Sequence, residues 1–169
     1  MATMDSSPAE LFDNEWYIVR HSGETPEIAL HSALYYLTRA KDGPHLVLAP
    51  EQLAALRQAA ALRYKEIILR DLCHANAGTP IYRGIARSIV NYHRFCTFCR
   101  RQEVDGEAVR SAAGDALRVF VDREWAEVQA GRSTLINCGH AELALFAAEL
   151  GLAVDGPLAE LAPFCPAGS

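Results

Sequence analysis

Two cysteines and a nearby cysteine–histidine pair are the residues of this chain best suited to holding a metal ion. Cys96 and Cys99 are three residues apart, so on a helix both thiols share one face and could reach one ion. A structural zinc site needs four ligands, and Cys138 and His140 are the nearest residues that complete the set. The spacing matches no standard zinc finger. The alternative is that Cys96 and Cys99 pack as small apolar side chains.

Cys138 also supports a catalytic interpretation. It precedes or opens a helix predicted over 139–150, where the positive end of the helix dipole favours a thiolate. His140 lies two residues further on and could act as a general base. Asn137 as a helix N-cap, with Cys138 filling space, explains the same residues without catalysis. Because the sequence names no third group that would orient His140, we favour a protein without enzymatic activity.

A row of arginines marks the helix that carries the cysteine pair. At about 100° per residue, four arginines fall in one narrow stripe: Arg83, Arg87, Arg94 and Arg101. No Asp or Glu occurs between Asp71 and Glu103. The stripe would be about 27 Å long, and it could follow a phosphate backbone or bind an acidic protein surface. The alternative is a solvated face that pairs with acidic residues of the same chain.

The opposite side of the same helix is largely apolar. Its predicted core stripe consists of Ile81, Ile85, Ser88, Ile89, Tyr92, Cys96 and Cys99. Tyr82 and Phe98 lie near the edges of the arginine stripe, where aromatic rings could stack on nucleic-acid bases. The sequence therefore predicts that this helix buries one face and exposes its arginines.

The elements that must position these residues are helices with clear start and stop signals. Ser7-Pro8-Ala9-Glu10 is a capping box, and Gly131 and Gly151 each follow a helical pattern. Helices are predicted near 8–15, 26–40, 50–76, 80–102, 106–130 and 139–150, with one helical turn near 158–162. The strand candidates, 16–19 and 46–48, are too short to build a sheet. The predicted fold is all-α, an irregular bundle of about five to six helices with short connections.

The predicted domain organisation is a single helical domain over 1–169. Residues 1–24 form an N-terminal arm with a short helix, and residues 152–169 form a tail rich in Pro and Gly. The helix over 50–76 is apolar on two sides, since Ala55 and Leu62 lie on the reverse of the main stripe. A helix of this kind is central in a fold or lies in a subunit interface, so we expect a homodimer.

Composition limits the possible partners and locations. The net charge is −5 and no Lys or Arg follows Arg132, so binding to an anion such as nucleic acid must be local. No apolar run reaches the roughly 18 residues of a membrane span, so no membrane association is expected. The N-terminus resembles no secretion signal, which predicts a cytoplasmic location with reduced thiols.

These observations predict a non-enzymatic helical binding domain, with a regulatory role as one option. Its arginine-rich helix face would bind an acidic protein or a phosphate backbone. The first alternative is a metal-binding protein that holds zinc through Cys96, Cys99, Cys138 and His140. The second is a cysteine-dependent enzyme centred on Cys138 and His140.

Overall fold

The computed structural model describes residues 6–22, 25–38, 48–74, 81–131, 139–153 and 155–161. Helices are the only regular secondary structure within these residues, which contain no strand. They form α1 (Pro8–Ser22), α2 (Pro26–Thr38), α3 (Pro50–His74), α4 (Ile81–Gln102), α5 (Glu107–Gln129), α6 (Gly139–Glu149) and α7 (Gly156–Leu161). The predicted all-α fold class is confirmed, with α7 in place of the predicted single turn.

Hydrogen bonds at the first turns show why helices begin where the sequence predicts. The Ser7 amide donates to Glu10 Oε2 at 2.7 Å, and the Glu10 amide donates to Ser7 Oγ at 3.3 Å. These reciprocal bonds are the predicted capping box at the start of α1. At the start of α3, Ala49 has no capping side chain, and its amide donates to Gln52 Oε1 at 2.9 Å. The start of α3 therefore has one of the two hydrogen bonds of a capping box, the one from the N-cap amide to the side chain three residues later.

Gly151 ends α6 as the sequence predicts. Its φ of 71° lies in the left-handed region, which glycine enters without a Cβ clash. The Leu152 amide donates to the Ala147 carbonyl at 2.9 Å, and the Gly151 amide donates to the Ala148 carbonyl at 3.0 Å. This pair of bonds is a Schellman motif, which satisfies two carbonyls at the end of the helix.

The end of α4 carries no glycine, and the sequence does not reveal its geometry. Glu103 has a φ of 54°, the single positive φ among the described non-glycine residues. The Val104 amide donates to the Cys99 carbonyl at 3.1 Å, which is the six-to-one bond of a helix C-cap. A side chain thus occupies a left-handed position that normally favours glycine.

Helix α1 is longer than predicted. It extends to Ser22, so the strand candidate at 16–19 is wrong. Phe12, Trp16 and Val19 recur at the i, i+4, i+7 spacing of a helix, and all three are buried. Their common burial outweighs the β-propensity of the short Trp16–Val19 run. Most of the second strand candidate, 46–48, lies outside the described residues.

The described residues group into two compact units, and both α3 and α4 contribute residues to each. The first unit contains the described residues of 1–64 and 95–105, and the second those of 65–94 and 106–169. Helix α1, in the segment expected to be an arm, packs against α2 in the first unit. Helix α7, in the segment expected to be a tail, packs against α5 and α6 in the second.

The core of the first unit is aromatic. The Tyr64 ring of α3 lies 5.8 Å from the Phe95 ring and 5.4 Å from the Phe98 ring, measured between centroids. An ion pair between Arg63 and Asp13 joins α3 to α1. The buried apolar side chains of this unit are Phe12, Trp16, Val19, Ala29, Leu30, Ala33, Leu56, Ala60, Ala61, Tyr64, Phe95 and Phe98.

The core of the second unit joins α3, α4 and α6. The buried Ser88 hydroxyl of α4 donates to the Ile68 carbonyl of α3 at 2.9 Å. The Tyr92 and Phe146 rings meet edge to face, with centroids 5.6 Å apart, and so join α4 to α6. The buried apolar side chains of this unit are Ile68, Leu72, Tyr92, Val109, Ala113, Leu117, Phe120, Val121, Leu143, Phe146, Ala147, Leu150 and Leu158.

The buried face of α4 is rotated relative to the predicted stripe. Ser88 and Tyr92 are buried as predicted, but Phe95 and Phe98 are also buried. Cys96 and Cys99 are only half-buried. Because a phenylalanine buries about 150–250 Å² and a cysteine far less, the two rings determine which side of the helix turns inward.

Candidate functional site

The arginine stripe is the candidate site, and it lies along α4. Arg87 and Arg94 are both exposed. Neither makes an ion pair within 4.0 Å with any residue in the described part of the chain. Arg83 begins the stripe in the first turn of α4, and its side chain lies outside the described residues. The stripe therefore presents two guanidinium groups that the described chain does not neutralise.

Arg101, at the C-terminal end of the stripe, is paired within the molecule. Its Nη1 lies 3.4 Å from Glu27 Oε1 of α2, and the Arg101 side chain remains 66% exposed. Exposed ion pairs of this kind contribute only about 0–1 kcal/mol. Arg101 is thus paired within the chain, as one alternative for the arginine stripe expected, whereas Arg87 and Arg94 have no such partner among the described residues.

An exposed valine separates the two unpaired arginines. Val90 is 50% exposed and falls on the same side of α4 as Arg87 and Arg94. The flanking side of the helix is already engaged, since His93 Nε2 lies 2.7 Å from Glu149 Oε2 of α6. The available surface is therefore a narrow strip with an apolar centre between two cations.

The aromatic residue expected to stack on nucleic-acid bases is not available for that role. Phe98 is 1% exposed and packs against Tyr64, so the prediction that its ring meets bases is wrong. The physical reason is the rotation of α4 that buries Phe95 and Phe98 together. The Tyr82 side chain, the second candidate, lies outside the described residues.

The structure describes half of the predicted metal-ligand set. Cys96 and Cys99 lie in the last turns of α4, both half-buried, and neither is in a disulfide. Cys138 and the side chain of His140 lie outside the described residues, as does the catalytic arrangement predicted for them. Among the described residues, no group of three His, Cys, Asp or Glu side chains could hold a metal ion. The four-ligand site stays a prediction.

Among the described residues, Glu124 is the acidic side chain most shielded from solvent. Glu124 of α5 is buried, and its Oε1 lies 3.7 Å from Arg123 Nε. The Arg123 guanidinium also lies over the Phe120 ring, 5.2 Å from its centroid. These contacts compensate the burial of Arg123 only in part, because its Nε and Nη2 atoms are buried without a hydrogen-bond partner.

A shallow groove lies between α5 and the segment that contains α7. Its volume is about 120 Å³, and its apolar wall includes Leu117, Val121 and Leu158. Arg118 and Asp155 also line it and form an ion pair at 3.1 Å. Ligand pockets usually measure about 300–1,000 Å³, so this groove is too small for most metabolites.

An acidic strip lies on α5, and its aspartates, which could have paired with the arginines of the same chain, make no ion pair with the described residues. Asp115 and Asp122 are exposed, seven residues apart, and Val119 between them is 66% exposed. The signal that identifies the strip is the same seven-residue spacing that relates Arg87 to Arg94. Charge segregation on α4 was conspicuous because acids are absent there, whereas α5 mixes both signs along its length.

The fold and site together define an all-α protein with a cationic strip on one of its long helices. None of the described helices is both long enough and apolar enough to span a membrane. The chain belongs to the family described as "Repeat of unknown function (DUF7826)", whose match covers residues 7–152. This span runs from the N-cap of α1 to the residue after the Gly151 cap of α6. No curated protein and no solved structure shows significant similarity to the chain.

Proposed function

We propose that this protein is a helical binding domain whose α4 arginine face binds an acidic protein segment. The arginine face consists of Arg83, Arg87, Arg94 and Arg101. One observation carries the proposal, namely that Arg87 and Arg94 are exposed and have no ion-pair partner among the described residues. In a chain with a net charge of −5, such a local cationic strip favours anions that approach this side.

The chemistry of the strip favours a protein partner over nucleic acid. Arginine binds carboxylates through paired, charge-assisted hydrogen bonds, so the same groups suit a protein surface as well as a phosphate. Val90 gives the strip an apolar centre, which a partner side chain can cover. Phe98 is buried and so removes a stacking platform that single-stranded nucleic acid would use.

The spacing of the arginines favours a helical partner. Arg87, Arg94 and Arg101 recur every seven residues, so the first two lie about 10.5 Å apart along the axis. A helix with carboxylates at the same spacing matches two of them at once when it lies alongside α4. The expected partner is therefore an acidic amphipathic helix. Ala55 and Leu62 are exposed on a different helix, α3, and could form a separate dimer contact.

A binding measurement with a neutralised strip tests the proposal. The variant is Arg87→Gln with Arg94→Gln, and the charge-matched control is Arg20→Gln with Lys65→Gln, which are exposed positions on α1 and α3. The probe is a fluorescent helical peptide with Glu at every seventh position, and a DNA duplex of similar length is the comparison. Anisotropy titrations at two salt concentrations measure affinity for each probe.

We expect the strip variant to bind the peptide about 2- to 30-fold more weakly, since two exposed ion pairs are lost at about 0.2–1 kcal/mol each. The control variant should bind as the unmodified protein does, and salt should weaken the unmodified protein more than the strip variant. Equal losses in both variants would refute a localised site. Tighter binding of the duplex than of the peptide would redirect the proposal to nucleic acid.

A further inference from the structure

The acidic strip of α5 has the composition that the arginine face requires of a partner. Asp115, Val119 and Asp122 fall on one side of α5, roughly opposite its buried side at Leu117. Asp115 and Asp122 make no ion pair within 4.0 Å with the residues that the structure describes. The neighbouring Arg118 is bound to Asp155 at 3.1 Å.

The two strips match residue by residue when the helices run antiparallel. With Arg87 opposite Asp122, the same alignment puts Arg94 opposite Asp115, since each pair is seven residues apart. It also puts Val90 opposite Val119, because each valine lies three residues from one end of its strip and four from the other. Two opposite-charge pairs would then flank one apolar contact, over about 10.5 Å of helix.

We propose that two copies of this chain associate through these helices. The α4 strip of one copy (Arg87, Val90 and Arg94) packs antiparallel on the α5 strip of the other (Asp115, Val119 and Asp122). The proposal rests on the proposed function, because it identifies the acidic helical partner as α5 of another copy. Charge complementarity and matching spacing support it, since opposite charges at facing positions fix both register and orientation.

Charge reversal provides the test, because it changes each strip independently. One variant carries Arg87→Glu and Arg94→Glu, and the other carries Asp115→Arg and Asp122→Arg. Each variant alone has strips of like charge, so its self-association should be at least about tenfold weaker than that of the unmodified protein. An equimolar mixture restores opposite charges, and so does a single chain with all four substitutions. Sedimentation velocity over a concentration series at low and physiological salt measures each case.

The expected result is self-association of the unmodified protein that weakens with salt, is lost in each double variant, and returns in the mixture and in the fourfold variant. Recovery in the mixture also shows that both double variants are folded. A monomer at every concentration would overturn the inference, as would association that survives both charge reversals. Loss of association in Leu62→Glu, with both charge-reversed variants still associating, would place the contact on α3 instead.

The peptide titration separates this inference from the proposed function. If the unmodified protein stays monomeric and still binds the acidic peptide through Arg87 and Arg94, the second-copy assignment is wrong and the proposed function stands. If the protein neither self-associates nor binds the peptide, both are wrong. Competition of the peptide with self-association would show that the two share the α4 strip.

Discussion

Replacing Glu103 with glycine should stabilise the protein, because the backbone at the end of α4 favours a residue without a Cβ. Glu103 has a φ of 54°, and the Val104 amide depends on this geometry to reach the Cys99 carbonyl at 3.1 Å. A left-handed conformation costs a residue with a Cβ about 1–2 kcal/mol. Glycine avoids that cost but increases the conformational entropy of the unfolded chain, which offsets about 0.4–1 kcal/mol.

The expected net effect of Glu103→Gly is therefore a gain centred on about 0.8 kcal/mol, and at most about 1.6 kcal/mol, in the free energy of unfolding. For a chain of this size, that gain raises Tm by about 1–4 °C. The matched control is Glu103→Gln, which keeps the Cβ and removes the carboxylate from the negative end of the helix dipole. The difference between the two variants isolates the backbone contribution.

Urea and thermal unfolding, each followed by circular dichroism at low and high salt, measure both variants. The backbone contribution should be independent of salt, whereas the gain from removing the charge should disappear at high salt. If the glycine variant is no more stable than the glutamine variant at high salt, the explanation from backbone conformation is wrong.

Two further substitutions test the packing inside each unit, one in the first unit and one in the second. Phe98→Ala should lower the free energy of unfolding by about 3–5 kcal/mol, because the ring is 1% exposed and packs on Tyr64, whereas Val90→Ala on the exposed strip should change it by less than about 0.5 kcal/mol. A small effect of Phe98→Ala in urea unfolding would contradict its burial. Gly114→Val should destabilise by about 1–3 kcal/mol, since a Cβ at Gly114 would lie 3.1 Å from Leu152 Cδ2. The cost should shrink in a Leu152→Ala background, and strict additivity in this double-mutant cycle would show that the two residues do not interact.

The binding proposals depend on the difference between paired and unpaired charges. Arg101 and Arg118 each have a carboxylate partner within the described chain, and so add little to recognition without first breaking that pair. Arg87 and Arg94 have none, and their neighbour Val90 adds apolar area at the centre of the strip. Small surface strips of this kind give specificity and orientation more than high affinity.

Helix boundaries were predictable because their causes are local. The capping box at Ser7 and Glu10 and the Schellman motif at Gly151 each involve residues within a few positions of one another. The cap at Glu103 was not predictable, because nothing in the residue type signals a left-handed conformation. The Trp16–Val19 run is helical although its residues favour strands, because burial of Trp16 and Val19, and not β-propensity, determines its conformation.

The face that α4 buries was only partly predictable. Periodicity placed Ser88 and Tyr92 correctly, since residues four apart share a side of any helix. Periodicity does not say whether Phe95 and Phe98 or Cys96 and Cys99 turn toward the core. Contacts with Tyr64, more than thirty positions earlier in the chain, decide in favour of the two phenylalanines.

The sequence by itself determined that Arg83, Arg87, Arg94 and Arg101 share one side of one helix, because helical periodicity depends only on positions within that helix. Only the tertiary structure decided which of these charges are neutralised. Arg101 meets Glu27, 74 positions away in the chain, while Arg87 and Arg94 meet no acidic side chain among the described residues. Ion pairing acts over a few ångströms, so it depends on which helices the fold brings together.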